Sequence, residues 1–165
     1  MSIDDVAAKA GVSKATIYRW WRSKADLALD TILNEVSRRV PMPDTGSLAG
    51  DLRAGARATV RAFRSPTLGP VLGALIGEGQ VDPDLALALR DRVIRPLRRA
   101  SLDIFKRAIA RGEIAKEVPV EVALDMLISP IYYRLLLRTG PMDANFADQV
   151  ADLLLAGLRP APPST

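Results

Sequence analysis

Apolar residues recur at three- and four-residue intervals along almost the whole chain, while runs that alternate every second residue, the mark of a half-buried strand, are missing. That periodicity leaves an all-α fold as the expectation. Aromatic residues make up only 5% of the 165 residues against 48% apolar residues overall, which suits a helical bundle built on Leu, Ala, Ile and Val. A chain of this length fits one compact domain, or a small module attached to a larger one.

Caps and breakers divide the pattern. Ser2 is a plausible N-cap for a short helix ending at Gly11, with Asp4 and Asp5 in the first turn where the helix dipole favours acids. Ser13 caps a second helix, Lys14 to Trp21, and Ser23 a third that continues to Val40. Pro41-Met42-Pro43-Asp44-Thr45-Gly46 reads as a linker. The expected organisation is therefore an N-terminal domain over 1–40, a linker over 41–47, a second helical domain over 48–158 and a frayed tail over 159–165. Within the second domain, helices are expected from Leu48 to Arg64 and from Thr67 to Gly77. A long one should open at the Asp82-Pro83 start signal, run to Arg111 and bend at Pro96. Two more cover Pro119 to Arg138, kinked at Pro130, and Asn145 to Gly157.

Two zeros narrow the chemistry. Without Cys or His there is no disulfide framework, no zinc or iron–sulfur site of the usual kind, no thiol nucleophile and no imidazole base. Asp82 and Asp84 are explained by capping, and Gly77-Glu78-Gly79-Gln80 lacks the Lys and Ser/Thr of a phosphate loop. The sequence thus points away from an enzyme and calls for no cofactor or metal. No segment reaches the roughly 18 uninterrupted apolar residues of a membrane span, and the acidic start is unlike a signal peptide. A cytoplasmic protein with no membrane partner is the expectation.

Residues 2–27 carry the functional signal. Two short helices joined by Gly11-Val12-Ser13 form a helix-turn-helix, whose second helix enters the DNA major groove. Val6, Ala7, Ala10, Val12, Ile17 and Trp21 are spaced to face inward, and the small Ala7 and Ala10 let the helices cross closely. From Lys9 to Lys24 there are five basic residues (Lys9, Lys14, Arg19, Arg22 and Lys24) and no acid, interleaved with Tyr18 and Trp20. Charge alone would suit a solvated basic face as well as a phosphate-binding one; the turn and the aromatic spacing favour DNA.

The segment resembles the DNA-binding domain of the TetR family of bacterial transcriptional regulators. The matching positions are Ser2, Val6, Ala7, Ala10, Gly11, Val12, Ser13, Thr16, Ile17, Tyr18, Trp20, Trp21, Lys24 and Leu27. The resemblance implies that Ser2 binds phosphate through its hydroxyl and backbone N–H, and that Ser13 opens the recognition helix. Lys14, Ala15, Thr16 and Arg19 would then project toward base edges, with Arg19 suited to a bidentate contact on guanine. It also implies backbone contacts from Tyr18 and Trp20, a phosphate clamp at Lys24 and a core role for Trp21. The family places a further helix ahead of this motif, whereas Met1 stands at the motif's edge, so the inward faces of Val6, Ile17 and Trp21 are expected to be partly exposed.

In the family the C-terminal helices form a homodimer and often enclose a pocket for a small-molecule effector. Candidate interface residues here are Met126, Ile131, Leu135, Phe146, Val150, Leu153 and Leu154; the apolar positions of these helices exceed what one face of an edge helix needs, which favours pairing over the alternative of filling a monomer core. Candidate pocket residues are Phe63, Leu72, Ile76, Phe105, Met126 and Tyr132, with the same alternative. Gly69, Gly73 and Gly77 give the short helix a small-residue stripe and weak intrinsic stability, marking it as an element that moves on ligand binding. The reading is a repressor that binds a near-palindromic double-stranded operator as a dimer and is released by an effector. The alternative is a dimeric ligand-binding module whose DNA reader is incomplete.

Overall fold

A computed structural model describes residues 3–40 and 42–158; the expectations for Ser2, for Pro41 and for the tail 159–165 lie outside the described residues. The elements are α1 (Ile3–Ala10), α2 (Lys14–Trp20), α3 (Lys24–Arg39), α4 (Leu48–Phe63), α5 (Leu68–Gly79), α6 (Pro83–Leu89), α7 (Arg95–Ala110), α8 (Val120–Leu137) and α9 (Ala144–Leu158). Among the described residues there is no strand, and no helix is long and apolar enough to cross a membrane.

The caps at Ser13, Ser23 and Asp82 work as the sequence suggests, and Ser47 supplies a further one. Ser13, Ser23 and Ser47 accept hydrogen bonds from the backbone N–H groups of Thr16, Asp26 and Gly50 at 3.1 Å each, satisfying donors that a helix start leaves open. Asp82 accepts from Asp84 and Leu85 at 3.0 and 3.1 Å, with Pro83 at the first helical position. Gly11 takes φ 66°, a left-handed conformation that lets Val12 N–H return to the Ala7 carbonyl at 3.1 Å and close α1.

α4 is the central helix. Leu48, Leu52, Ala56, Val60 and Phe63 are buried on one stripe, and small Ala58 and Ala62 are buried on a second. α9 lies along it, held at the rim by Arg53–Asp152 and Arg57–Asp148 pairs of 2.6 Å. α5 approaches very closely: a Cβ on Gly69 would lie 2.1 Å from the Phe63 carbonyl oxygen. Close packing accounts for Gly69, whereas a Cβ at Gly77 would meet nothing within 4 Å.

The long helix after Pro83 is expected to bend at Pro96. Just ahead of Pro96 it opens into a π turn over Arg90–Ile94, where Arg95 N–H reaches back five residues to the Arg90 carbonyl. Proline has no amide to donate, and its ring excludes the carbonyl four residues earlier; widening the preceding turn relieves both. α8 carries Pro130 internally and ends at Arg138, whose φ of 53° is left-handed.

The core does not divide at residues 41–47. Leu29, Ile32 and Val36 of α3 belong to the same buried cluster as the residues of α4–α9, while Ala7 and Ile17 lie outside it. α3 is thus packed as part of the larger body, with α1 and α2 mounted on its beginning.

Candidate nucleic-acid interface and effector cavity

α2 buries one residue. Ile17 is 4% exposed, and Lys14, Ala15, Thr16, Tyr18, Arg19 and Trp20 are all exposed, Tyr18 at 52% and Trp20 at 74%. A seven-residue helix with one anchor turns nearly its whole circumference to solvent, along a segment rich in cations. Ser13 is engaged at its start, with its hydroxyl 2.9 Å from that of Thr16. Lys14 forms a 2.5 Å pair with Asp4, exposed on both sides, which a phosphate can displace at small cost. Lys24, the first residue of α3, is exposed beside Arg22.

The inward set expected from spacing is partly different. Ala7 and Ile17 are buried and Val6 and Trp21 half-buried, but Ala10 and Val12 are exposed, because no described element lies over them. Trp21 has a polar role that its expected core assignment missed: its Nε1–H donates to Asp30 Oδ2 at 2.8 Å. Asp30 Oδ1 in turn accepts from Arg92 Nη2 at 2.5 Å, and Arg92 Nη1 donates to Asp26 at 2.7 Å. The hydrogen bond to Asp26 raises the Arg92 guanidinium pKa; burial opposes the rise and Asp30 adds to it. One arginine of the π turn therefore grips two carboxylates of α3, one of which holds the tryptophan at the end of α2. The only sequence signal for this contact is the four-residue spacing of Asp26 and Asp30, which puts both on one helix face.

A cavity of about 490 Å³ lies in the body. Its walls come from Ile32 and Val36 of α3, Phe63 of α4, Leu72 of α5, Val93 and Ile94 of the π turn, and further residues of α7 and α8. Of the expected pocket residues, Phe63, Leu72 and Tyr132 line it, the first and last in an edge-to-face pair with ring centroids 5.1 Å apart. The other three do not. Phe105 is fully buried and lines only a small neighbouring void; Ile76 is packed on the core away from the cavity; Met126 is 59% exposed and is not among the residues that line it. Sequence reasoning missed the contribution of α3, together with the polar residues Arg98, Asp125 and Ser129.

The expected dimer residues also separate. Ile131, Phe146, Val150 and Leu154 are buried inside the protomer, where α8 and α9 pack on the central helix, and so do not form an exposed interface; Leu135 is half-buried. Met126 and Leu153 are exposed, and Val122, Tyr133, Leu136 and Leu137 of α8 are exposed with them. Periodicity identifies two apolar faces on these helices without showing which one the protomer itself uses.

Comparison with known proteins gives two family matches: "Bacterial regulatory proteins, tetR family" over residues 1–31 and "Tetracyclin repressor-like, C-terminal domain" over residues 42–154. The uncharacterized HTH-type transcriptional regulator YdeS of Bacillus subtilis is 36% identical over 94% of this chain and 76% of its own length. A protein of Mycobacteroides abscessus described as the DNA-binding transcriptional repressor TetR is 36% identical over 96% of this chain and 84% of its own. Among solved structures, the TetR family transcription regulator SCO0332 superposes with a TM-score of 0.83 at 36% identity, covering 96% of this chain and 87% of that one.

Proposed function

Because the chain belongs to the TetR family of bacterial regulatory proteins, and is thereby a DNA-binding transcriptional regulator, we propose that it is a cytoplasmic repressor acting as a homodimer and released by a small molecule. The observation that carries the DNA-binding half is α2 itself, anchored by Ile17 alone with Lys14, Ala15, Thr16, Tyr18, Arg19 and Trp20 facing outward. Two copies would seat their α2 helices in successive major grooves roughly 34–36 Å apart. The exposed stripe of Val122, Met126, Tyr133 and Leu137 on α8, with Leu153 on α9, supports pairing of these helices with their copies in a four-helix bundle.

Release follows from α3 being shared. Its outer end carries Lys24 and the Asp30–Trp21 contact, and its inner end lines the cavity with Ile32 and Val36. Val93 and Ile94 line the cavity beside Arg92, which grips Asp26 and Asp30. A ligand that repacks this wall changes the tilt of α3, and with it the separation of the two α2 helices, a population shift between two spacings. Arg92→Leu is therefore expected to weaken operator binding on the order of tenfold while leaving affinity for random DNA unchanged. Equal loss on both DNAs would assign Arg92 to phosphate contact, and no loss would show that its bridge positions nothing.

The direct test is fluorescence anisotropy with DNA from beside the chain's own gene at two salt concentrations. Lys24→Ala should weaken binding to every sequence and lower the salt slope by about one, whereas Arg19→Ala should also relax specificity by about 1–3 kcal/mol at one base pair. Equal losses on specific and random DNA for both variants would contradict that division of roles. Weak, sequence-independent binding by the unaltered chain would favour the second reading, a dimeric ligand-binding module. The apolar groove between α1, α3 and α5, lined by Ile3, Val6, Ala28, Val71 and Leu75, is the observation that supports it.

A further inference from the structure

We infer that the cavity selects an uncharged, largely apolar molecule bearing one hydrogen-bond-accepting oxygen, and rejects organic anions and cations of the same shape. The inference rests on the reading of this cavity as the effector site, and adds the class of ligand.

A volume near 490 Å³ lies in the range that encloses a small organic ligand. Its deeper wall is hydrocarbon and aromatic: Ile32, Val36, Phe63, Leu72, Val93 and Leu124 are all buried side chains. An ion entering such a wall loses its hydration and regains it only if an opposite charge is free to meet it. Among the described residues Arg98 is the one lining cation, and it is already spent. It donates to Asp125, and at 2.5 Å to Glu121, so a carboxylate ligand meets a guanidinium already facing two carboxylates. The hydrogen bonds it donates to Asp125 and Glu121 raise the Arg98 pKa, and it stays charged and occupied. A cation fares no better, since Asp125, the one lining carboxylate among the described residues, is taken by that same arginine.

The hydroxyls divide into used and unused. Thr59 donates to the Gly55 carbonyl at 2.9 Å and Ser101 to that of Leu97 at 2.9 Å, each within its own helix. Three lining hydroxyls, those of Ser129, Tyr132 and Tyr133, have no hydrogen-bond partner among the described residues; Ser129 and Tyr133 are exposed to water, whereas Tyr132 is packed into the wall with its ring edge-on to Phe63. Burial pushes its phenol up to about 12, so it remains a neutral donor throughout the physiological range. A ketone, ether or hydroxyl oxygen gives it an acceptor that the protein does not supply.

Four probes on one skeleton separate the contributions: 2-acetylnaphthalene, 2-naphthoate, 1-(2-naphthyl)ethylammonium and 2-ethylnaphthalene, titrated calorimetrically into the full chain. The ketone is expected to bind at least about tenfold more tightly than either ion, and roughly three- to tenfold more tightly than the hydrocarbon. Tyr132→Phe should remove the advantage over the hydrocarbon. In Glu121→Gln/Asp125→Asn, two exposed substitutions, the uncovered Arg98 should raise naphthoate affinity by about tenfold. Either ion matching the ketone in the unaltered chain overturns the inference, as does failure of all four probes to bind. A ketone that binds equally well to Tyr132→Phe overturns the oxygen contact. Operator binding is followed in parallel. Probe failure with DNA binding intact removes the ligand class alone; probe binding that never alters DNA affinity leaves the class standing and removes the cavity's role as effector site.

Discussion

Asp51→Ala is expected to lower the unfolding free energy by roughly 3–5 kcal/mol, the largest loss from any single carboxylate of the chain. Asp51 is completely buried near the start of α4, yet it is charged. It accepts from Thr45 N–H at 2.6 Å, from the Thr45 hydroxyl at 2.8 Å and from Arg107 Nη2 at 3.2 Å, and that same Nη2 donates to the Pro43 carbonyl at 2.5 Å. The carboxylate thereby fastens the segment entering α4 to α4 and α7. Alanine leaves the Thr45 amide without its acceptor and takes the carboxylate from the Thr45 hydroxyl and the guanidinium, which keep only the Ser47 and Pro43 carbonyls; removing one side of such a buried pair costs more than the pair contributes. Since the Arg107 side chain is 31% exposed, water recovers part of the loss, which favours the lower end of that range. Burial pushes the Asp51 carboxyl up, but the Thr45 amide and hydroxyl and then Arg107 outweigh it and hold the pKa below its ordinary value of 3.8. The sign follows from linkage. A depressed carboxylate contributes stability that is complete well above pH 3.8 and is lost as pH falls through the lower folded value. Urea denaturation should therefore find the wild-type advantage large at pH 7 and shrunken in strong acid; an advantage independent of pH would show that the charge is immaterial.

What the sequence disclosed depended on whether a signal was local. Caps at Ser13, Ser23 and Asp82 concern groups two or three residues apart, so their helices could be located from the chain alone. The exposed set on α2 was legible for the same reason: a short helix with one aliphatic residue, Ile17, has one way to bury it. Pro96 announced a disturbance but not its form, because a kink and a π turn both relieve the missing amide. The cavity was only half legible. Phe63, Leu72 and Tyr132 come from helices already suspected, but the α3 wall required knowing that the core runs across residues 41–47. The Arg92 grip joins residues 62 and 66 apart in the chain, a distance over which no spacing rule operates. The candidate dimer residues separated into buried and exposed sets for a further reason. α8 and α9 are apolar on more than one face, and burial of Ile131, Phe146, Val150 and Leu154 is decided by neighbours rather than by period.

The separateness of the reader's small core makes Ile17→Ala the more decisive variant for function. Ala7 and Ile17 are its buried residues among those described, and neither joins the main cluster. α1 has 8 residues and α2 has 7, too short for either to hold its conformation in water without packing. Truncating a buried isoleucine costs about 2–5 kcal/mol, and here that cost falls on the α1–α2 pair rather than on the whole body. Arg19, Tyr18 and Trp20 keep their chemistry but lose the frame that aims them together. Operator affinity should fall by at least about thirtyfold, since each 1.4 kcal/mol spent refolding the pair is a factor of ten in binding. The melting of the main body should move little, because Leu29, Ile32 and Val36 tie α3 to α4–α9 without Ile17. Circular dichroism, hydrogen exchange and anisotropy on one preparation would separate the two responses. Loss of protection confined to residues 3–21 with specific binding abolished is the expected pattern. A variant that still discriminates operator from random DNA would mean that DNA itself assembles the reader, and that Ile17 is no more than a convenience of the free state.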